Sequence, residues 1–588
     1  MRRRYAAALA ACAALALAAC GGLSTSSGVQ PGLDVGSVQD NPVRVVANGP
    51  SAGSSPEQVV GGFIKAAAAS DNEYQIARLF LAPSPETTWR PDSSVVVFTD
   101  DTSLTITKAA DDAVTAVAKA TARIDGNGRY QELPPDSSVE MSFQLRRVGG
   151  EWRISKVPDG FGIWLSEADL ERLYDPYRVY YVSTAEKRLV PDTRWFPQGT
   201  GLATRLARSV LAGVPDYLRG AVRSEIPPGT RLAVDAVTVD SGTAKVDLTA
   251  SGLGSDPARR RAMAAQLLAT VQQAPGVLRV RLQQEGTDIQ MPGGETTVDS
   301  LAALGFPTSS APLVKPVLRS GSSLVPLDPE QVTDPDGHAP KAEKSSLPSI
   351  PTGWSYLAMS RTGTEIAGVG GDRAELSRWR GTNQIRVPSV GTGLTAPTYD
   401  REDVLWVAGV AGGVARVWAA NTAVNPGDAT TSRPQRVEAG WLTGRLVVSL
   451  RLSADGQRAA LISTDRKGLD PRLDVAGVVR QPNGIPTSLD GPLSLAPSLT
   501  LMRDVVWTDD STLAVLGRKA SSQVVRPWFV PLGGPITAGP EIVGAQSITT
   551  VNGERGLVVV TDRDEVLIRA GNRWQSVGQG SGFLVAGR

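Results

Sequence analysis

The chain has 588 residues and is close to neutral, with 60 Lys and Arg against 59 Asp and Glu. Its length implies several domains, and its balanced charge gives no footprint for nucleic acid. With two Cys and one His in the whole sequence, His338, a zinc or iron site has too few ligands, and a Ser-His-Asp mechanism would have to use a histidine in a Pro/Gly-rich linker.

Arg2, Arg3 and Arg4 precede an apolar run from Ala6 to Ala19 that ends in Leu17-Ala18-Ala19-Cys20-Gly21. A basic start, a short apolar stretch and small residues at a cut site form a secretory signal, residues 1–19, too short for a comfortable membrane span. The stretch resembles a bacterial lipobox, in which Leu17, Ala18 and Ala19 lead to a cysteine that is acylated and becomes the new first residue. The alternative is an ordinary cleaved signal peptide. Cys12 would leave with the signal, so Cys20 would be the lone cysteine of the mature chain and could form no internal disulfide. It fits a lipid attachment point, and two or more acyl chains anchor a protein firmly. Cleavage also removes three arginines, leaving 57 basic residues against 59 acidic.

Residues 20–54, rich in Gly, Ser, Pro and Asn, read as a flexible spacer. Residues 55–160 read as an α+β domain. Ser55, Pro56 and Gln58 spell a capping box that opens a helix, with Val59, Phe63 and Ala66 or Ala67 on one face. A second helix is expected over Glu73–Leu81, with Ile76, Leu79 and Phe80 apolar. Strands follow at 94–99, 103–108, 113–124 and 138–148, and a Gly149-Gly150 turn leads to a return strand carrying Trp152 and Ile154. This order is similar to NTF2-like domains, which can hold a ligand in the cone of the sheet or serve as plain scaffolds. Trp152 reads as core rather than a ligand platform.

Residues 161–295 form the next unit. A connector at Leu165–Leu170 precedes a strand at Tyr177–Val182, and a helix spans Leu202–Leu211. Leu232, Val234 and Ala236 alternate into an Asp240-Ser241-Gly242 turn, and Ala244, Val246 and Leu248 alternate back. Asp256 and Pro257 open a helix with Met263, Leu267 and Val271 on one face, and Val277–Leu282 is a strand. The segments "IPPGTRL", "AKVDLT" and "APGVLRVRLQQEG" resemble the GerMN domain of sporulation and germination proteins, a module with no established catalytic role. Asp247 is its most tempting polar residue, and it also fits a strand-end carboxylate that accepts backbone hydrogen bonds.

Residues 296–350 read as a linker able to lend a strand to the C-terminal domain. From 351 to 588 short β-prone runs recur every 40–50 residues, with Ser-x-Asp-Gly turns such as Ser453–Gly456 and strands ending in aromatics. This is the rhythm of a propeller with five or six blades; the rival is a β-sandwich. A sixth blade could draw on residues 311–328 or join both ends of the domain.

The succession of lipobox, spacer, NTF2-like unit, GerMN-like unit and propeller resembles the LpqB family of actinobacterial lipoproteins along essentially the whole chain. That resemblance implies a lipid-anchored, extracytoplasmic protein without catalysis or cofactor. It implies an accessory to the extracellular part of a sensor histidine kinase controlling cell-wall and division functions. The alternatives are a sensor for wall fragments or lipid, a structural envelope spacer, or an envelope glycosidase, since two carboxylates suffice for that chemistry without a motif.

Overall fold

The computed structural model describes residues 48–69, 74–83, 89–185, 187–249, 256–306, 314–333, 345–423 and 433–587. The signal, the lipobox with Cys20, and His338 lie outside them.

In the first domain, α1 (Pro56–Ala68) opens on the expected capping box: Ser55 accepts from the Gln58 N–H, and Gln58 accepts from the Ser55 N–H. Val59, Val60, Phe63 and Ile64 face the core. The expected second helix shrinks to one turn, Gln75–Arg78. Tyr74 enters it with φ at 62° and turns the apolar face, so that Tyr74, Ala77 and Phe80 are buried while Ile76 and Leu79 are exposed.

The sheet comprises β1 (Ser94–Phe98), β2 (Leu104–Ala110), β3 (Ala113–Asp125), β4 (Tyr130–Glu132), β5 (Ser138–Val148), β6 (Glu151–Lys156) and β7 (Ile163–Ser166), in the order β6-β5-β3-β1-β7. β3 is long enough to serve two halves. Its first part pairs with β2 and β5, and its second with β1 and β4, which curls the sheet. The aromatic side chains of Phe63, Phe143, Phe161 and Trp89 fill the space between α1 and the sheet, with ring centroids 4.9–6.2 Å apart. Trp152 is half-buried under Arg147 and packs on this core. The domain runs past Gly160, the end expected from the sequence, because β7 pairs parallel with β1. Gly162 makes that approach possible: a Cβ there would lie 1.9 Å from the Ser94 carbonyl oxygen.

Ser166 caps α2 (Glu167–Leu173), which leads into a long hairpin of β8 (Tyr174–Ser183) and β9 (Leu189–Pro197). Then come α3 (Leu202–Leu211), β10 (Val222–Arg223), β11 (Thr238–Asp240), β12 (Thr243–Leu248), α4 (Pro257–Val271), β13 (Arg279–Gln284), β14 (Thr287–Asp288) and β15 (Thr297–Val298). β12 and β13 are parallel neighbours joined through α4. The strand expected at Leu232–Ala236 is a single bridge at Leu232, with Val234 60% exposed. The Val237 N–H donates to the Thr204 hydroxyl on α3, which draws the chain off the sheet edge. The unit also extends past 295, since β15 pairs with β13 and Leu304 and Phe306 join its core.

From Ala262 to Val271, α4 is buried on all sides between the β8–β9 hairpin and the second sheet. Gln266 and Thr270 on α4, with Gln273 just past its end, serve the stretch of the β8 edge at Arg178–Tyr180 that β10 does not reach. Gln266 donates to the Tyr180 carbonyl, Thr270 accepts from the Tyr180 N–H, and Gln273 both accepts from and donates to Arg178.

Six sheets make the propeller. Five follow one another along the chain, at 354–386, 398–437, 445–495, 499–538 and 545–579. The sixth joins β16 (Val317–Ser320) and β17 (Ser323–Pro326) to Gly582–Leu584, so the segment read as linker and the end of the chain close the ring in one sheet. Buried polar contacts tie neighbouring sheets. Glu365 meets Arg378 through two bonds of 2.7 and 2.9 Å and accepts from the Tyr399 hydroxyl, and Asp400 pairs with Arg480 at 2.6 Å.

Candidate functional site: a buried junction of three domains

β9 holds the molecule together. Hairpin strands usually keep one wet face, yet every residue from Val190 to Pro197 is buried. One flank belongs to the first domain: the Trp195 N–H donates to the Gly128 carbonyl at 2.7 Å, and the Trp195 ring lies 5.9 Å from Tyr130. The other belongs to the propeller: Trp195 Nε1 donates to the Gly533 carbonyl at 2.6 Å, and the Pro191 carbonyl accepts from Arg458 at 3.1 Å. Nearby, Asp490 of the third sheet accepts from the Gly220 N–H at 2.7 Å, and Arg178 reaches Ser511 at 3.2 Å.

The junction carries two buried ion pairs. Asp192 pairs with Arg194 at 2.5 Å and accepts from the Tyr217 hydroxyl at 2.8 Å, with all three residues buried. Burial and the Asp192 carboxylate push the Tyr217 hydroxyl well above its ordinary pKa. Asp455 sits in the Ser453–Gly456 turn and pairs with the fully buried Arg458, whose guanidinium lies 5.2 Å over Trp507. Burial alone would raise the Asp455 carboxyl. Arg458, the Ser453 hydroxyl and the Gln457 N–H outweigh it and hold the pKa below the ordinary value. Asp510 beside them is raised, by burial first and by Asp455 second. The Asp192–Arg194 and Asp455–Arg458 pairs fix geometry, whereas Asp510 is exposed and stands outside both pairs.

Asp247 proves to be a turn-holding residue, with both carboxylate oxygens 3.0 Å from the Gly286 N–H at the β13–β14 turn. Sequence reading placed Asp455 only as a turn residue and passed over Asp192, Arg194 and Arg458, which share no motif. The available signal was an ionic pair inside an otherwise strand-like run. The first domain also holds a cavity of about 980 Å³ beside α1, lined by Gly61, Ile64, Phe80, Phe98, Leu104 and Trp164 among others.

Three family profiles match in succession: the N-terminal domain of lipoprotein LpqB at residues 49–171, the sporulation and spore germination domain at 178–290, and the LpqB β-propeller domain at 348–583. Relatives match along the length. Lipoprotein LpqB of Thermobifida fusca is 27% identical, with 94% of each chain covered. That of Cutibacterium acnes is 26% identical over 92% of this chain and 91% of its own, and that of Streptomyces avermitilis 27% over 96% and 95%. The chain thus belongs to the LpqB family of lipoproteins, anchored to the membrane on its extracytoplasmic side.

Proposed function

We propose that this protein is an accessory subunit of a membrane sensor histidine kinase that controls cell-wall and division functions, held at the extracytoplasmic face of the membrane by acyl chains on Cys20. The observation that carries the reading is β9, buried along its length between three domains. A protein locked in this way presents its outer faces in one fixed arrangement, as a docking subunit requires. Asp192 and Asp455 at its centre are paired within the chain, which suits a scaffold better than a glycosidase. Family membership supports the membrane side of the reading.

The test is a crosslinking pull-down of the full-length lipidated protein from its own membranes, read by mass spectrometry. Recovery of a histidine kinase's extracellular domain is the expected result, and the crosslinked residues would map the contact face. Recovery of wall polymer without any kinase would move the assignment to an envelope sensor. The aromatic-lined cavity beside α1 is what favours that second reading.

A further inference from the structure

Residues on or beside the innermost strands of all six propeller sheets enclose a cavity of about 160 Å³ on the ring axis. The protein as a whole is neutral, but this wall is not: it carries Arg319, Arg373, Arg451 and Arg503 against one carboxylate, Asp504. Asp504 is already engaged. It accepts from the Ser449 hydroxyl at 2.7 Å and the Ile548 N–H at 3.1 Å, and it lies 3.4 Å from Arg451. Arg451 is thereby answered, and three guanidinium groups remain.

Among the described residues, none of those three has a carboxylate as a bonded partner. Arg373 donates through two nitrogens to the Tyr356 hydroxyl, at 3.1 and 2.9 Å, and lies 4.6 Å over the same ring. Arg503 is exposed and donates to the Ala545 carbonyl at 2.8 Å. Arg319 is the telling one. It is 3% exposed, and among the described residues its guanidinium is held by the carbonyls of Gly321, Trp354 and Pro351 alone. Burial draws its pKa down from the ordinary arginine value with no acid opposing the shift. Elsewhere in this propeller the buried arginines Arg378, Arg458 and Arg480 each meet an acid. A buried cation without its anion is costly, and the missing charge is one that a ligand can supply.

We propose that this axial cavity binds an oxyanion, a phosphate or carboxylate group of a small molecule or polymer end, between Arg319, Arg373 and Arg503. A planar guanidinium fork matches both groups. The cavity has room for about five waters at roughly 30 Å³ each, which suits one oxyanion on a short stem and excludes a lipid body. Because Arg319 stands on β16, in the sheet where the two ends of the domain meet, occupancy also braces the closure of the ring. The site does not depend on the kinase partnership, and its test reads a different quantity.

The test titrates inorganic phosphate, glycerol phosphate and acetate into the full chain in detergent, at low salt in phosphate-free buffer. Calorimetry and thermal melting are the readouts. Saturable binding of one ligand per chain, with a raised melting temperature, is expected. Arg503→Ala, at an exposed side chain, and Arg373→Gln should each weaken it by about tenfold, and Arg503→Lys should recover part of the loss. Arg386→Ala, on the outermost strand of the first sheet, should leave it unchanged. Acetate competing with phosphate supports a general oxyanion site, and binding of the two phosphates alone supports a phosphate site. The absence of saturable binding for all three probes overturns the proposal, and so does equal affinity in the Arg373→Gln/Arg503→Ala double variant.

Discussion

Replacing Arg458 by Met tests whether charge compensation, rather than packing alone, holds the three-domain junction. The methionine keeps an unbranched apolar stem beside Trp507 but removes the partner of Asp455 and a donor to the Pro191 carbonyl. Breaking a buried ion pair from one side costs about 3–5 kcal/mol, chiefly because the other charge is stranded. That cost has a pH signature. In the native protein the Asp455 pKa lies below 3.8, so its stabilising contribution is present above the unfolded value and is lost only as pH falls through the folded one. Without Arg458, burial dominates and the folded pKa rises above the unfolded value. The variant is then penalised at neutral pH by about 1.4 kcal/mol per unit of rise, and protonation relieves that penalty as pH falls towards about 4. Urea unfolding of both proteins at pH 7 and pH 4.5 should show a wider gap at pH 7 than at pH 4.5. Asp455→Asn in the Arg458→Met background should recover much of the loss at pH 7. An equal gap at both pH values, with no recovery, would refute the reasoning and assign the cost to packing.

Three further outcomes are expected. Gln266→Leu preserves side-chain bulk but orphans the buried Glu225 N–H and Tyr180 carbonyl, so it should destabilise by about 1–3 kcal/mol for each group left unmet, read as a lowered urea midpoint. Trp195→Ala should cost about 3–5 kcal/mol and let the first domain melt apart from the propeller in calorimetry, whereas Trp195→Phe, which loses only the bond to Gly533, should cost about 1 kcal/mol and melt as the parent does. Cys20→Ala should leave the protein unlipidated and free to leave the membrane fraction, and a variant that stays membrane-bound with unchanged detergent partitioning would sink the lipid assignment.

Local chemistry was the most legible part of the sequence. The Ser55–Gln58 box, the cap at Asp256 and the Ser453–Gly456 turn are set by residues within three or four positions of one another, and they stand where the pattern places them. Where long-range packing decides, the pattern misleads. Ile76 and Leu79 look like a helix face, but one left-handed residue, Tyr74, reorients the turn around different side chains. Leu232, Val234 and Ala236 alternate like a strand, but a hydrogen bond from Val237 to Thr204 pulls the segment away. Gln266 and Thr270 look like the polar side of an amphipathic helix; they are buried, and they serve a strand some ninety residues away in sequence. The charged wall of the propeller axis is invisible in sequence for the same reason, since its four arginines come from four separate stretches of chain.

The same physics constrains how the molecule can pass a signal. A hinge needs an interface that opens at a small cost, and such interfaces are poor in buried apolar contact and in desolvated pairs. The junction has the opposite character. One continuous apolar core runs from α3 and α4 into the third and fourth propeller sheets, with one buried pair on β9 itself and another beside it in the propeller. Opening it would expose that core and strand several charges together, so the cost would approach that of unfolding a domain. A partner bound to one face therefore cannot be sensed through a graded swing of the propeller against the other domains. What remains is a change of occupancy on a rigid body: the protein docks or does not, and a ligand on the propeller axis is held or is not. Variants that weaken the junction should accordingly lose docking and stability together, whereas variants on a contact face should lose docking alone.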